Sequence, residues 1–292
     1  MFISEQEKFI FFHPMKTGGQ TTRHRLLLYN LRPYPRPIIR LDLKKTKDEK
    51  LKIKERRQKW KSSLKNAQKK YEIWHPYHLT YRFLEEYPNV IPEEFHNYFK
   101  FTFVRNPYDR MYSFFLQMWN FIKPLIPEAA EDKDSKPADY FKPIPRWYYH
   151  PDFKNKLQHI PFRNTPQYLF THNSKLENQM NYIGRLEKYE NDYDRVIEII
   201  NPSTRFANKR REPKTRIKNV RNQDSETDGY KYLDQYDQES LDFVNQHFQK
   251  DFEFFYYRII EKIEDVPEAK RFCSFTKELG LINDNYLRKL EE

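Results

Sequence analysis

Glycine is scarce in this chain: there are five in 292 residues, and two of them stand side by side in FIFFHPMKTGGQTT, residues 9–22. Cysteine is scarcer still. The single Cys273 excludes an intramolecular disulfide framework and cannot build a zinc site alone, so a reducing, cytoplasmic setting is expected. No run approaches the roughly 18 apolar residues of a membrane span. MFISEQEKFIFF also lacks the basic region and apolar core of an export signal, so neither a transmembrane segment nor an anchor is expected. No cluster of histidines or carboxylates has metal-ligand spacing, which predicts metal-independent chemistry, and no internal repeat is present.

Charge is concentrated in one place. The chain carries a net +11, and residues 44–70 hold thirteen Lys and Arg against three Asp and Glu, so this segment accounts for nearly all of the excess. Apolar residues such as Leu51, Trp60 and Leu64 are few in it, so it reads as a basic helical excursion that either attracts a polyanion or is a solvated face. The rest is close to neutral. With 38% hydrophobic and 17% aromatic residues the chain can build one large domain around a Phe- and Tyr-rich core.

Strand, loop and helix units recur along the chain. Residues 8–13 read as a buried strand, followed by a glycine turn into the helix GGQTTRHRLLLYN. HLTYRFLEEYP, residues 78–88, reads as a short helix stopped by proline. Lys100–Val104 has strand character, Asn106 suits an N-cap and Pro107 a first helical turn. A third unit has a strand at Tyr182–Leu186 and an amphipathic helix from about Asn191. This alternation predicts an α/β domain with a parallel sheet over residues 1–262. The proline-rich, aromatic stretch 124–166 and the basic stretch 201–228 read as loops. ESLDFVNQHFQKDFEFFYY closes the domain as a helix, and residues 263–292 read as a helical extension.

A strand that runs through glycines into a helix presents backbone N–H groups to an anion. Lys16 adds a charge there, and Thr17, Thr21 and Thr22 add hydroxyls. The order of residues is not that of a Walker A loop, because the lysine precedes the glycines. In the second unit, FVRNPYDRMYSFF, an arginine ends a strand and Ser113 follows eight positions later on the helix.

Read together, PMKTGGQTT and FVRNPYDRMYSFF resemble the sulfotransferases that use 3′-phosphoadenosine 5′-phosphosulfate (PAPS), on the side that includes the Golgi carbohydrate enzymes and their bacterial relatives. Three further stretches follow in the family's order: WHPYHLTYRFL, YIGRLEKYENDYDRV and YKYLDQYDQESLDFVNQHFQKDFEFFYY. The resemblance spans roughly residues 8–257. It implies a P-loop-like three-layer fold, with a central parallel sheet flanked by helices and carrying loop and helical insertions. It also implies that Lys16, Thr17, Gly18, Gly19, Gln20 and Thr21 hold the 5′-phosphosulfate and that Arg105 and Ser113 hold the 3′-phosphate. Met15 stands between Pro14 and Lys16, where the family has proline directly before the lysine, and Gln20 replaces a threonine.

The implied reaction moves a sulfuryl group from PAPS to an acceptor hydroxyl, most simply of a carbohydrate or glycoconjugate. Lys16 would neutralise the leaving oxygen and His78 would be the base, with His75 its local rival. No nucleic acid partner is expected, and the basic segment would suit an anionic acceptor. Arg105 has a competing reading as the structural partner of Asp109, and Arg110 reads as structural. Arg216, Lys218 and Arg221 of the basic loop could close over the nucleotide or simply be solvated. Phe141, Trp147, Tyr148 and Tyr149 either stack on sugars or form a satellite core. A P-loop phosphotransferase and a non-catalytic polyanion binder are the alternatives.

Overall fold

A computed structural model describes residues 1–4, 7–28, 55, 58, 62, 78–91, 93–158, 165–200 and 230–281. Its elements in chain order are β1 (Phe2–Ser4), β2 (Phe9–Phe12), α1 (Gly19–Leu28), α2 (Tyr81–Glu86), β3 (Phe99–Val104) and α3 (Pro107–Ile122). Then come α4 (Pro127–Glu131), α5 (Ile144–Tyr148), α6 (Pro151–Gln158), β4 (Tyr182–Arg185) and α7 (Tyr189–Ile200). The described chain ends with α8 (Gln238–His247), α9 (Gln249–Phe254), α10 (Val266–Ala269) and β5 (Gly280–Leu281).

The strands form one sheet in the order β1-β2-β3-β4-β5. β2, β3 and β4 are parallel, with Phe11 opposite Phe101 and Phe103 opposite Gly184. β1 and β5 run antiparallel at the two edges. Every residue of β2 and β4 is buried, because helices cover both faces, and this is why β2 reads as the continuous apolar run FIFF rather than an alternating one.

One face sends Phe9, Phe11, Phe99, Phe101, Phe103 and Tyr182 against Leu26 of α1 and Tyr189, Tyr193, Val196 and Ile197 of α7. Phe11 and Phe101 stack with ring centroids 4.9 Å apart. Replacing such a buried phenyl by alanine costs about 3–5 kcal/mol, so this aromatic ladder holds β2 and β3 in register. The opposite face packs Ile10, Phe12 and Val104 against Leu84 of α2, Met111 and Phe115 of α3, and Leu241 and Phe252 of α8 and α9.

Local chemistry explains the boundaries. Asn106 caps α3 by accepting the Tyr108 N–H at 3.0 Å, and Pro107 opens the first turn. Thr80 caps α2 through the Phe83 N–H at 3.0 Å, and Pro88 follows that helix. Gly184 lets β4 approach β3, since a Cβ there would lie 2.6 Å from the Phe103 ring.

Several expectations need correcting. The stretch 124–158, read as a loop, contains α4, α5 and α6. Pro127 and Pro151 stand at helix starts, where proline's missing N–H has no intrahelical acceptor to lose. Phe141 and Trp147 are fully buried against Phe115, and the Trp147 indole donates to the Phe141 carbonyl at 2.8 Å. Tyr148 packs on Phe243, which leaves Tyr149 as the exposed member of the four aromatics, at 52%. Among the described residues after 262, the short helix α10 is followed by β5, which joins the sheet beside β4. Residues 55, 58 and 62 of the basic segment are helical and exposed. The remainder of 44–70, the stretch 201–228, His75 and residues 282–292 lie outside the described residues. Among the described residues no helix is long and apolar enough to cross a membrane.

Candidate functional site

The chain leaves β2 at Phe12 and turns through His13–Gly18 into α1. Lys16 and Gly18 both have left-handed backbones, with φ of 68° and 77°, so successive N–H groups of this turn are drawn toward one side. A left-handed lysine is strained, and such strain gathers at ligand clamps. The Gly18 carbonyl accepts the Thr22 N–H at 3.0 Å, so the N–H groups of the first turn of α1 lie at its open N-terminal end.

The hydroxyls differ in what they do. Thr17 is buried and donates to the Pro14 carbonyl at 2.9 Å, bracing the turn from within. Thr22 bonds the Gly18 carbonyl and accepts from the Tyr189 hydroxyl at 3.0 Å, which ties the loop to α7. Gln20 is exposed and Thr21 half-buried on the first turn of α1.

Arg105 meets this loop from β3. Its Nη1 donates to the Lys16 carbonyl at 3.4 Å, and its guanidinium lies 4.0 Å from the Asp109 carboxylate. Burial lowers the Lys16 pKa to about 8, and the Arg105 charge pushes the same way. Burial raises Asp109 to about 7, with Arg105 opposing and Glu187 adding to the rise. The ion pair at 4.0 Å thus lowers the Asp109 pKa by less than burial raises it. Asp109 and Ser113, one turn apart, share a face of α3, and Ser113 is half-buried.

A polar frame beneath Arg105 was not singled out from the sequence. Gln167 accepts the Arg105 N–H at 2.8 Å and donates back to the Arg105 carbonyl at 2.8 Å. Glu187 accepts the Asn106 N–H at 2.7 Å and the Tyr257 hydroxyl at 2.9 Å. Asp251 accepts the Gln167 and Tyr168 N–H groups, both at 2.8 Å, and faces the buried Arg110 at 4.0 Å. Arg110 donates to the carbonyls of Met15 at 3.0 Å and Thr165 at 2.7 Å, so its structural reading holds: it pins the turn before Lys16. Glu187 and Asp192 are two of the four acidic residues of the YIGRLEKYENDYDRV stretch. Asp192 accepts the Arg185 N–H at 2.6 Å and the Tyr182 hydroxyl at 2.9 Å.

The Tyr232 N–H donates to Asp109 at 3.1 Å, and the Tyr232 ring stacks on Tyr112 with centroids 4.6 Å apart. The Arg105 guanidinium carbon is 6.0 Å from the Tyr232 centroid. Tyr232 thus lies beside Arg105, four residues after the basic stretch; the stretch itself, with Arg216, Lys218 and Arg221, is outside the described residues.

His78 lies just ahead of the Thr80 cap of α2. Its Nδ1 is 2.9 Å from the His13 carbonyl, and the two imidazole centroids are 4.6 Å apart. His78 therefore touches the residue that opens the Lys16 turn. Lys16, Arg105 and His78 come from three segments and converge at the carboxyl ends of β2 and β3, where open α/β sheets bind ligands.

A family model described as the sulfotransferase family matches residues 1–258. The chain belongs to the sulfotransferase family. The match runs from β1 past the end of α9, so every candidate site residue of this sulfotransferase falls within it. No curated protein and no solved structure matches the chain. Among its described residues the sulfotransferase has no group of three or more His, Cys, Asp or Glu that could hold a metal ion.

Proposed function

We propose that this sulfotransferase moves the sulfuryl group of PAPS to an acceptor hydroxyl, of a carbohydrate or glycoconjugate, by in-line displacement without a metal. The reading is carried by the convergence of Arg105 on the Lys16–Gly19 turn, with the guanidinium bonded to the Lys16 carbonyl at 3.4 Å. Two cationic side chains and a set of helix N-terminal N–H groups at one place suit a ligand with two separated anionic groups. PAPS is such a ligand.

In this reading the backbone of Lys16–Thr21 cradles the 5′ end, with Thr17 bracing the turn from inside. Lys16 sits beside the bridging oxygen, where charge collects as the sulfuryl group departs, and its buried setting strengthens that interaction. Arg105 takes the 3′-phosphate through its planar fork, with Ser113 completing the shell from α3. His78 removes the acceptor proton. Most of the residual acceleration comes from holding donor and acceptor in line.

The test is transfer of label from sulfur-labelled PAPS to a panel of oligosaccharides, glycolipids and small alcohols. Lys16→Ala should reduce turnover by a factor on the order of 100, about 3 kcal/mol for one lost electrostatic contact. Turnover within a few-fold of wild type would remove Lys16 from the mechanism. Phosphoryl transfer from ATP in place of sulfuryl transfer would favour the phosphotransferase alternative.

A further inference from the structure

The role proposed for His78 demands that one of its ring nitrogens carry a lone pair toward the acceptor, and its surroundings bear on which one. The His78 Nδ1 atom lies 2.9 Å from the main-chain carbonyl of His13. A carbonyl oxygen only accepts, so Nδ1 is the protonated nitrogen, and in the neutral ring the lone pair sits on Nε2.

The side chain of His13 has its own constraints. It is only 7% exposed, and its ring lies 4.6 Å from that of His78, centroid to centroid, with the planes inclined at 47°. On another side it covers Gly19 so closely that a Cβ there would fall 1.7 Å from ring atoms. Phe2 and Phe11 flank it at 6.0 and 5.8 Å. The His13 imidazole is thus wedged between His78 and the first turn of α1.

Its Nδ1 is buried without a hydrogen-bond partner among the described residues. Burial, then the His78, Met1 α-amino and Arg23 charges, push its pKa well below the usual histidine range, so the ring stays neutral. An apolar ring would satisfy this pocket better, and an unsatisfied buried nitrogen in a native fold calls for an explanation.

We infer that His13 is the positioning residue for His78: its carbonyl fixes the tautomer with the lone pair on Nε2, and its ring fixes the attitude of the imidazole. This rests on the reading of His78 as the base. It also accounts for Gly19, since any larger residue would displace the wedge.

The experiment uses the full chain with nitrogen-labelled histidine. Long-range proton–nitrogen correlation spectra report which nitrogen of each neutral imidazole is protonated, and His78→Gln assigns the signals. His78 is expected as the Nδ1–H tautomer. His13→Ala keeps the main-chain carbonyl, and with it the tautomer, but removes the ring, and it should lower kcat tenfold or more, while the Kd for adenosine 3′,5′-bisphosphate stays within about twofold. His13→Phe restores a ring in the same place and should recover most of kcat.

An Nε2–H tautomer in the wild-type protein overturns the proposal, and that spectrum decides the matter even if the alanine variant misfolds. Unchanged kcat in His13→Ala overturns the role of the ring, and so does a phenylalanine variant as impaired as alanine. Retained transfer in His78→Gln would instead sink the base assignment, while the spectrum would still show whether His13 orients that ring.

Discussion

If Lys16 binds the donor as an ammonium, its depressed pKa must appear in the pH dependence of binding. With a pKa of about 8 in the unliganded protein, Lys16 is about nine-tenths protonated near pH 7 and about one-tenth near pH 9. A ligand that requires the ammonium should therefore bind about tenfold more weakly at the higher pH, a loss of about 1.4 kcal/mol. The assay is titration calorimetry with adenosine 3′,5′-bisphosphate from about pH 6.5 to 9.5 at fixed ionic strength. Asp109, pushed up to about 7, adds a shallower decline at the acid end as its carboxylate forms, so the control is Lys16→Met. That variant should bind weakly at every pH and lose the decline centred near pH 8. Folding stability supplies an independent sign. Burying the ammonium costs the fold about 3 kcal/mol, a cost present below pH 8 and relieved as pH rises from about 8 toward 10.5. Lys16→Met should therefore be the more stable protein near pH 7, and its advantage should shrink in that window. A flat wild-type profile, or a decline that persists in Lys16→Met, refutes the argument.

Other outcomes follow from the same geometry. Arg105→Ala should raise the Kd for adenosine 3′,5′-bisphosphate by about tenfold or more, as for a charge-assisted bond, and leave that for AMP nearly unchanged; equal loss for both in isothermal titrations would indicate a folding defect. Gly19→Ala places a methyl inside the His13 ring contact, so thermal denaturation should show a loss of about 1–3 kcal/mol, and wild-type stability would mean that the ring is not seated there. Asp251→Ala leaves Arg110 without its carboxylate at 4.0 Å and should cost about 3–5 kcal/mol in urea unfolding; a loss below about 1 kcal/mol would show that the pair does not anchor the Met15 turn. Removing residues 44–70 should spare donor binding and weaken a polyanionic acceptor in a salt-dependent way. Unchanged acceptor affinity at low salt would make the segment a solvated face.

Local rules carried the centre of the sheet. The runs FIFF and FKFTFV, and the Asn-Pro that follows Arg105, announce their own strand and cap chemistry, and these elements form within one or two residues of where the sequence places them. The edges were not legible in the same way. β1 and β5 are three and two residues long, too short for an alternation to register, and each exists because a longer neighbour offers it a hydrogen-bonding edge. The proline-rich stretch 124–158 reads as a loop although Pro127 and Pro151 open helices, since proline's preference depends on its position within the helix.

At the site, the motif residues Lys16, Gly18, Gly19 and Arg105 can be read from one segment each. The frame that aims them is spread over Gln167, Glu187 and Asp251. A glutamine or carboxylate that satisfies a distant backbone N–H has no local pattern, and only the Glu187 stretch carried a signal, through its resemblance. The contact between His13 and His78 joins residues 65 positions apart, so neither histidine could reveal it alone.

The central claim is that this site is built for a nucleotide with a 3′-phosphate. Comparing thermal stabilisation by adenosine 3′,5′-bisphosphate, AMP and ATP, with and without magnesium, tests it most directly. At about 100 times its Kd the bisphosphate should add about 2.7 kcal/mol of stability, with no dependence on magnesium and more than AMP or ATP at equal concentration, and Arg105→Ala should erase the advantage over AMP. Greater stabilisation by ATP with magnesium, or equal effects of bisphosphate and AMP on the wild-type protein, would contradict the account.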